Sequence, residues 1–427
     1  MKVEQVFGVS NKQIESYIER PDVDDKFVSG LKSEKHIIVY GASKQGKTAL
    51  TNKHLDESEF LRVDCSPNSQ PIDIYKSVLR QLSVEFKEES KISHGSSVKG
   101  RAEIKATVSV PFLSKLSGKL RAEKKSDEKQ EMKFKPVEFN LNLAQDISEI
   151  LKAHEFEQHI ILENFHYLEE EVQKKLAFDL RVFEDHRILF IVLGIWREKN
   201  RLAQFNGDLL DRIVEVPVEP WQADDFKKVL EAGEPLMNVD FSSIEERMIV
   251  STFDSIGVFQ ELCKHCCKIA GFSETNPNDI FVISEEILNQ AIKNKFDDYS
   301  SRHIRSLETF VEQKAKSSSD KPLYIAYYFV TELLKNIPDD ITHGFKRKDI
   351  HELIKSNHHR PDDVRPSDIT YFLHNIVSNQ LKKSIVPPIF DYDRSTRLLK
   401  VIDSTFYFFL QNMDATEILE LINNPLE

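Results

Sequence analysis

Hydrophobic residues fall into two regimes along this chain. Up to about residue 220 they come mainly as short unbroken runs separated by amphipathic stretches, and beyond it they recur mostly at helical spacing. The runs at 36–40 (His-Ile-Ile-Val-Tyr), 60–65, 159–163, 188–193 and 213–216 are four to six residues long. That length suits strands rather than helices, and the lack of alternation predicts strands buried on both faces of a parallel sheet. Helices are predicted between them: after Thr48, from Pro71 with Ile74, Val78, Leu79 and Leu82 on one face, near 146–153 and around 169–183. Strands alternating with helices imply right-handed βαβ units, hence an α/β core in which helices sandwich a parallel sheet.

From Trp221 to about Phe310 the pattern is nearly all helical and predicts a helical subdomain over 221–313. Residues 314–321 have linker composition. Helices are then expected at 323–334, 347–356 and 366–383, followed by two strand-like runs, 387–392 and 398–402, around a polar turn at 393–396. Three helices and then a hairpin is the order of a winged-helix domain, assigned to 322–427. The core is assigned to 1–220, interrupted by a Lys/Ser/Glu-rich insertion at about 88–135. Two readings of the insertion stay open: a β-hairpin or arm with a charged tip at 124–133, and a solvated loop.

Charge sharpens this division. The chain carries a net −12, yet residues 87–136 hold about 13 Lys/Arg against about 7 Asp/Glu, which leaves about −18 for the rest. A basic insertion on an acidic body argues against coating nucleic acid with the whole surface and marks the insertion as a place for a partner. From Asp320 onward about 13 basic residues face about 16 acidic ones. That balance favours protein or intramolecular docking over a general DNA-binding role. A length of 427 residues implies roughly two or three domains. No apolar run is long enough to span a membrane, and the first residues are unlike a secretory signal. Four cysteines make no disulfide framework, so a reducing cytoplasm is the expected setting.

The chemistry concentrates where the run 36–40 ends. Gly41-Ala42-Ser43-Lys44-Gln45-Gly46-Lys47-Thr48 fits G-x-x-x-x-G-K-[ST], placed between a buried strand and a helix. Glycines let successive N–H groups turn toward phosphates, and the following helix adds its positive end. Lys47 is expected on the β- and γ-phosphates and the Thr48 hydroxyl on Mg²⁺, so ATP with Mg²⁺ is the predicted ligand. Glu163, closing its strand, is the expected second metal-side residue; a capping glutamate is the alternative. Asn164 follows it, and an amide is no general base. It is left to orient water, with His166, Glu169 or a partner's group as base, and slow hydrolysis is expected. Arg197, beyond the tip of the strand 188–193, is the candidate γ-phosphate sensor, against a surface salt bridge. Arg212 is the candidate finger reaching an adjacent subunit, against pairing with Asp208.

Gly41–Thr48, Glu163-Asn164-Phe165-His166-Tyr167-Leu168, the 194–198 tip and 206–212 together resemble AAA+ ATPases, and more closely the signal-transduction ATPases with numerous domains (STAND). The chain is also similar to bacterial ATP-binding proteins with an aromatic-His-Tyr-Leu run after the acidic strand. The resemblance covers roughly residues 10–290. It implies a nucleotide held between the α/β core and a helical lid, with a C-terminal winged helix. It also implies that Tyr17 and Ile18 line the adenine pocket, where an ordinary helix end is the alternative, and that Ser255-Ile256-Gly257-Val258 forms a lid bend approaching the nucleotide. Cys263, His265, Cys266 and Cys267 lack a second ligand pair and read as core packing. His358-His359 reads as a solvated loop. The function expected from the whole is an ATP-driven switch in bacterial signalling or anti-phage defence, self-associating or gripping a protein effector. The alternatives are a DNA-binding ATPase of loader type, gripping nucleic acid through the basic insertion and the winged helix, and a non-catalytic nucleotide-stabilised scaffold.

Overall fold

The computed structural model describes residues 1–10, 12–90, 104–111, 134–313, 322–336 and 344–426. Helices α1 (Val3–Val6) and α2 (Pro21–Leu31) precede strand β1 (His36–Tyr40), helix α3 (Lys47–His54), β2 (Phe60–Asp64) and α4 (Pro71–Gln81). Three strands follow, β3 (Phe86–Ser90), β4 (Ile104–Pro111) and β5 (Phe134–Asn140). The alternation then resumes with α5 (Ala144–Ala153), β6 (His159–Glu163), α6 (Glu170–Asp185), β7 (Phe190–Gly194), α7 (Arg201–Phe205) and β8 (Ile213–Pro217).

Strands β2, β6, β7, β1 and β8 lie in that order in one parallel sheet. Strand β1 is buried from end to end, as its unbroken apolar run requires. Its side chains divide by the two-residue period of a strand. Ile38 and Tyr40 join Val63, Leu162 and Val192 on one face, while Ile37 and Val39 pack on Phe27 and Leu50 on the other. His36 sits in this core as a neutral imidazole: the Phe190 N–H donates to Nδ1 at 3.0 Å and Nε2 donates to Leu180 O at 2.8 Å. Strand β1 lies between β7 and β8, so its C-terminal end opens beside theirs, and there the glycine loop begins.

The insertion is a three-stranded antiparallel sheet, β3-β4-β5, rather than a bare hairpin, because residues 86–90 pair with β4 as well. Its charged tip at 124–133 lies outside the described residues, as do the linker-like residues 314–321.

The next region holds α8 (Ala223–Met237), β9 (Val239–Asp240), α9 (Glu245–Val250), α10 (Ile256–Ile269), β10 (Phe281–Val282) and α11 (Glu285–Val311). It is helical as expected, apart from the short parallel pair β9–β10. Cys263, Cys266 and Cys267 are fully buried in its core. Val3, Val6 and Phe7 join that same core with Phe226, Phe241 and Phe259, so the first residues pack with this region and not under the sheet.

The last region comprises α12 (Ile325–Lys335), β11 (Phe345–Lys346), α13 (Arg347–Asn357), α14 (Pro366–His374), α15 (Ile376–Lys382), β12 (Phe390–Asp393), β13 (Leu398–Val401), α16 (Ser404–Asn412) and α17 (Ala415–Leu421). The helix expected over 366–383 is broken at Asn375, whose amide donates to Tyr371 O at 2.8 Å and closes the first half. Strand β12 starts only at Phe390, since Pro387 and Pro388 have no N–H for a ladder. The antiparallel order is β11-β13-β12. Helix α16 was not foreseen. Asp403 caps it by accepting from the Thr405 N–H at 3.1 Å, and residues 404–410 are all buried. His358 is buried as well, its Nε2 2.7 Å from Leu323 O, so it packs instead of sitting in a solvated loop.

Candidate nucleotide site

Residues 41–48 turn from β1 into α3 through Lys44 and Gly46, both at positive φ (58° and 87°). Gly46 is the residue before the helix, where the left-handed conformation suits glycine. The loop closes on its own lysine: Lys47 Nζ donates to Ala42 O at 2.6 Å and Gly41 O at 3.0 Å. Burial pushes this ammonium down to about 8, opposed by Glu219 and Glu163. A desolvated cation with only carbonyls for partners is poised for an anion.

At the end of β6, Glu163 accepts from the Thr48 hydroxyl at 3.4 Å and from Arg62. Burial pushes its carboxyl upward and Arg62 pulls the other way. A hydroxyl and a carboxylate side by side fit Mg²⁺, a hard cation that takes oxygen donors and keeps much of its water shell. Thr48 and Glu163 would hold such an ion, and bound there it would neutralise phosphate charge. Asn164 takes φ 56° and turns the chain into the short 165–167 helical turn.

On the far side of the loop, a cavity of about 190 Å³ is lined by Tyr17, Ile18, Trp221, Val229, Ile256 and Gly257, and runs to Lys47 and Thr48. Tyr17 and Ile18 thus line one cavity with the loop residues Lys47 and Thr48. The Tyr17 hydroxyl donates to Asp24 at 2.6 Å, which fixes its ring. The Arg20 guanidinium lies 3.7 Å over the Trp221 ring. A largely apolar cavity with an aromatic wall beside a glycine loop is of a kind that could take a purine base. Trp221 went unnoticed in the sequence because it belongs to no motif.

Residues 254–257 lie against the same loop. Gln45 reaches Asp254 O and the Ile256 N–H, each at 3.4 Å. A Cβ on Gly257 would stand 2.5 Å from Lys44 Cβ and 2.7 Å from Lys44 O. Gly257→Ala is thus expected to push α10 off the loop and cost about 1–3 kcal/mol, read as a lower urea midpoint. An unchanged midpoint would mean that the two elements part freely.

The two candidate arginines are both engaged. Arg197 forks onto Glu219 at 2.7 and 3.2 Å and donates to the Tyr407 hydroxyl at 3.1 Å. Glu219 in turn accepts from the Ala42 N–H at 2.7 Å. The structure so couples Arg197 to the loop through a carboxylate, not directly. Arg212 precedes β8, at the edge of the sheet opposite the loop, and is held by Glu184 and Asp185. The sequence reading had named Asp208 as its alternative partner; Asp208 pairs with Arg181 instead.

A further contact was invisible in the sequence. The Ser43 N–H donates to Ile402 O at 3.0 Å, and the Ser404 hydroxyl donates to Ser43 O at 2.8 Å. The Ser43 hydroxyl donates to Asp403 at 3.2 Å, and Asp403 also holds Arg302 of α11. Around this contact Arg201 bridges to Asp391 at 2.8 Å and Arg394 to Glu170 at 3.0 Å.

No protein-family model matches the chain, and no curated protein sequence does. Solved structures do resemble it at low identity. A Walker-type ATPase of Pyrococcus abyssi is 14% identical, covering 95% of this chain and 99% of its own, with a TM-score of 0.48. The Orc1 protein of Aeropyrum pernix, solved with DNA, is 11% identical over 91% of this chain and 90% of its own, at 0.40. A STAND protein with a tetratricopeptide repeat sensor from Pyrococcus horikoshii is 10% identical over 96% of this chain and 45% of its own, at 0.36.

Proposed function

We propose that this chain is an ATP-binding, slowly hydrolysing switch of the AAA+/STAND-like kind, whose C-terminal region competes with nucleotide for the phosphate loop. The observation that carries the reading is the Ser43 N–H held by Ile402 O. In a phosphate loop such N–H groups are the anion cradle. A peptide carbonyl is a weaker acceptor for them than a phosphate oxygen, whose charge-assisted bonds are roughly twice as strong. ATP would therefore displace Ile402–Ser404 and loosen the region from α12 to α17, read here as a winged-helix-like docking module. The helical region 221–313 serves as the lid, with Thr48 and Glu163 on Mg²⁺ and Tyr17 and Ile18 at the adenine.

The freed surface suits a protein effector or a second copy of this chain better than DNA. Of the basic residues on the β12–β13 hairpin, Arg394 is turned onto Glu170 and Lys400 onto Asp393. Hydrogen exchange across 398–412, measured with ADP, ATP and a non-hydrolysable analogue, tests the competition. ATP and the analogue are expected to speed exchange there, with mass photometry reporting any change in assembly. Equal protection in all three states would exclude it.

A further inference from the structure

One buried group beside the loop is left unexplained by binding alone. His166 is 3% exposed, and among the described residues nothing hydrogen-bonds either of its ring nitrogens. Native proteins seldom bury a polar atom without a partner, and a catalytic role or a bound small molecule is the usual reason when they do. The ring sits in the 165–167 turn, three residues beyond Glu163, in the fields of Lys47 and Arg201. Burial and these two cations hold it well below the ordinary imidazole range, so it stays neutral. A neutral imidazole offers one donor and one acceptor, as a water molecule needs. Among the described residues the Trp196 indole N–H is also buried without a partner, its ring 6.3 Å from that of Phe165. Arg201 lies 5.3 Å over the Trp196 ring.

We infer that His166 holds the water that attacks the terminal phosphate, taking the place that a carboxylate would fill had Asn164 been an acid. The inference rests on the nucleotide reading of the loop. In the step it serves, the bond from water oxygen to the γ-phosphorus forms. The bond from that phosphorus to the β–γ bridging oxygen breaks, and its electron pair leaves with ADP. One water proton stays on the phosphate product and the other passes to solvent. His166 orients the water by accepting from it and ends the step neutral, as it began. This is positioning without strong base catalysis, and it suits slow turnover.

The test uses the full-length chain, with His166→Phe to remove both nitrogens at similar volume and His166→Gln to keep an acceptor. ATP affinity, single-turnover hydrolysis, affinity for ADP with aluminium fluoride, and thermal midpoint are measured for each. His166→Phe is expected to keep its thermal midpoint and to bind ATP within about twofold of the parent. Hydrolysis should fall by about 100-fold, the scale of lost positioning, and the ADP–aluminium fluoride complex, which mimics the transition state, should weaken. Adding Asn164→Asp to His166→Phe should restore turnover, and His166→Gln should lie between. Parent-like hydrolysis by His166→Phe would overturn the inference. So would loss of ATP affinity in step with hydrolysis, which marks a structural role. A parent chain that binds ATP without turnover would also overturn it and leave the nucleotide site standing. If the parent does not bind ATP at all, the nucleotide reading itself fails.

Discussion

Lys47→Met is expected to remove ATP binding while leaving the nucleotide-free chain at least as heat-stable at pH 7. The two halves of that result have one cause. Lys47 hydrogen-bonds the carbonyls of Gly41 and Ala42, and burial lowers its pKa from 10.5 to about 8 against the pull of Glu219 and Glu163. The folded state thus binds this proton less tightly than the unfolded chain does. Below about pH 8 the burial penalty is fully present, and it fades as pH rises toward the unfolded value. Methionine removes the penalty and fills similar space, so the nucleotide-free midpoint should hold or rise. Loss of a buried charge–phosphate contact costs about 2–5 kcal/mol, so the ATP dissociation constant should rise by roughly two orders of magnitude or more. For the parent chain the sign with pH follows. Bound phosphate favours the ammonium, so affinity is full below about pH 7 and falls as pH rises through about 8. Lys44, also lowered to about 8 by burial beside Arg302 and Lys295, adds to the slope, and Lys44→Met should make it shallower. Titration of a fluorescent ATP analogue from pH 6.5 to 9 reads both. A flat profile, or Lys47→Met binding like the parent, would contradict the account.

How much of this was legible beforehand depends on how local each determinant is. The loop and β1 were readable because glycine spacing and an unbroken apolar run are written in consecutive residues. The 255–258 stretch, expected through resemblance to approach the nucleotide, packs on the loop at Ile256 and Gly257. The partners of the loop were not readable. Glu219 meets Ala42 across 177 residues and Asp403 meets Ser43 across 360, and no local pattern marks either as a partner. Arg212 shows the same limit: its charge was evident, but the acids that hold it come from the end of α6. Helix α16 escaped for a different reason. Phe406-Tyr407-Phe408-Phe409-Leu410 is buried all round, so it has no polar face to give a helical period. Its face is covered by α11, with Phe409 stacked on Phe296 at 5.9 Å. The break at Asn375 is a side-chain-to-backbone choice that apolar periodicity does not encode.

That long-range contact sets the second large effect. Asp403→Ala is expected to tighten ATP binding and to expose the C-terminal region to protease even without nucleotide. Asp403 is fully buried and does three jobs: it holds Arg302, accepts from the Ser43 hydroxyl at 3.2 Å, and caps α16 through the Thr405 N–H at 3.1 Å. Loss of the cap alone costs about 1 kcal/mol. The ion pair adds less than a fully buried one would, because the Arg302 side chain is 36% exposed. The cap is internal to α16 and is lost in both arrangements, whereas the bonds to Ser43 and Arg302 fall on the docked one, in which Ile402 O occupies the Ser43 N–H. If nucleotide binds only the undocked loop, its apparent affinity scales with the undocked fraction. Weakening the dock by about 1.4 kcal/mol should then raise ATP affinity by up to tenfold. The free Arg302 is left near Lys44, on the loop itself, which further favours an incoming anion. Ser404→Ala removes only the bond to Ser43 O and should move affinity in the same direction by less. Calorimetric titration with ATP, paired with limited proteolysis after residue 390, decides it. Both variants binding ATP more weakly than the parent would mean that Ile402–Ser404 builds the nucleotide site instead of competing for it.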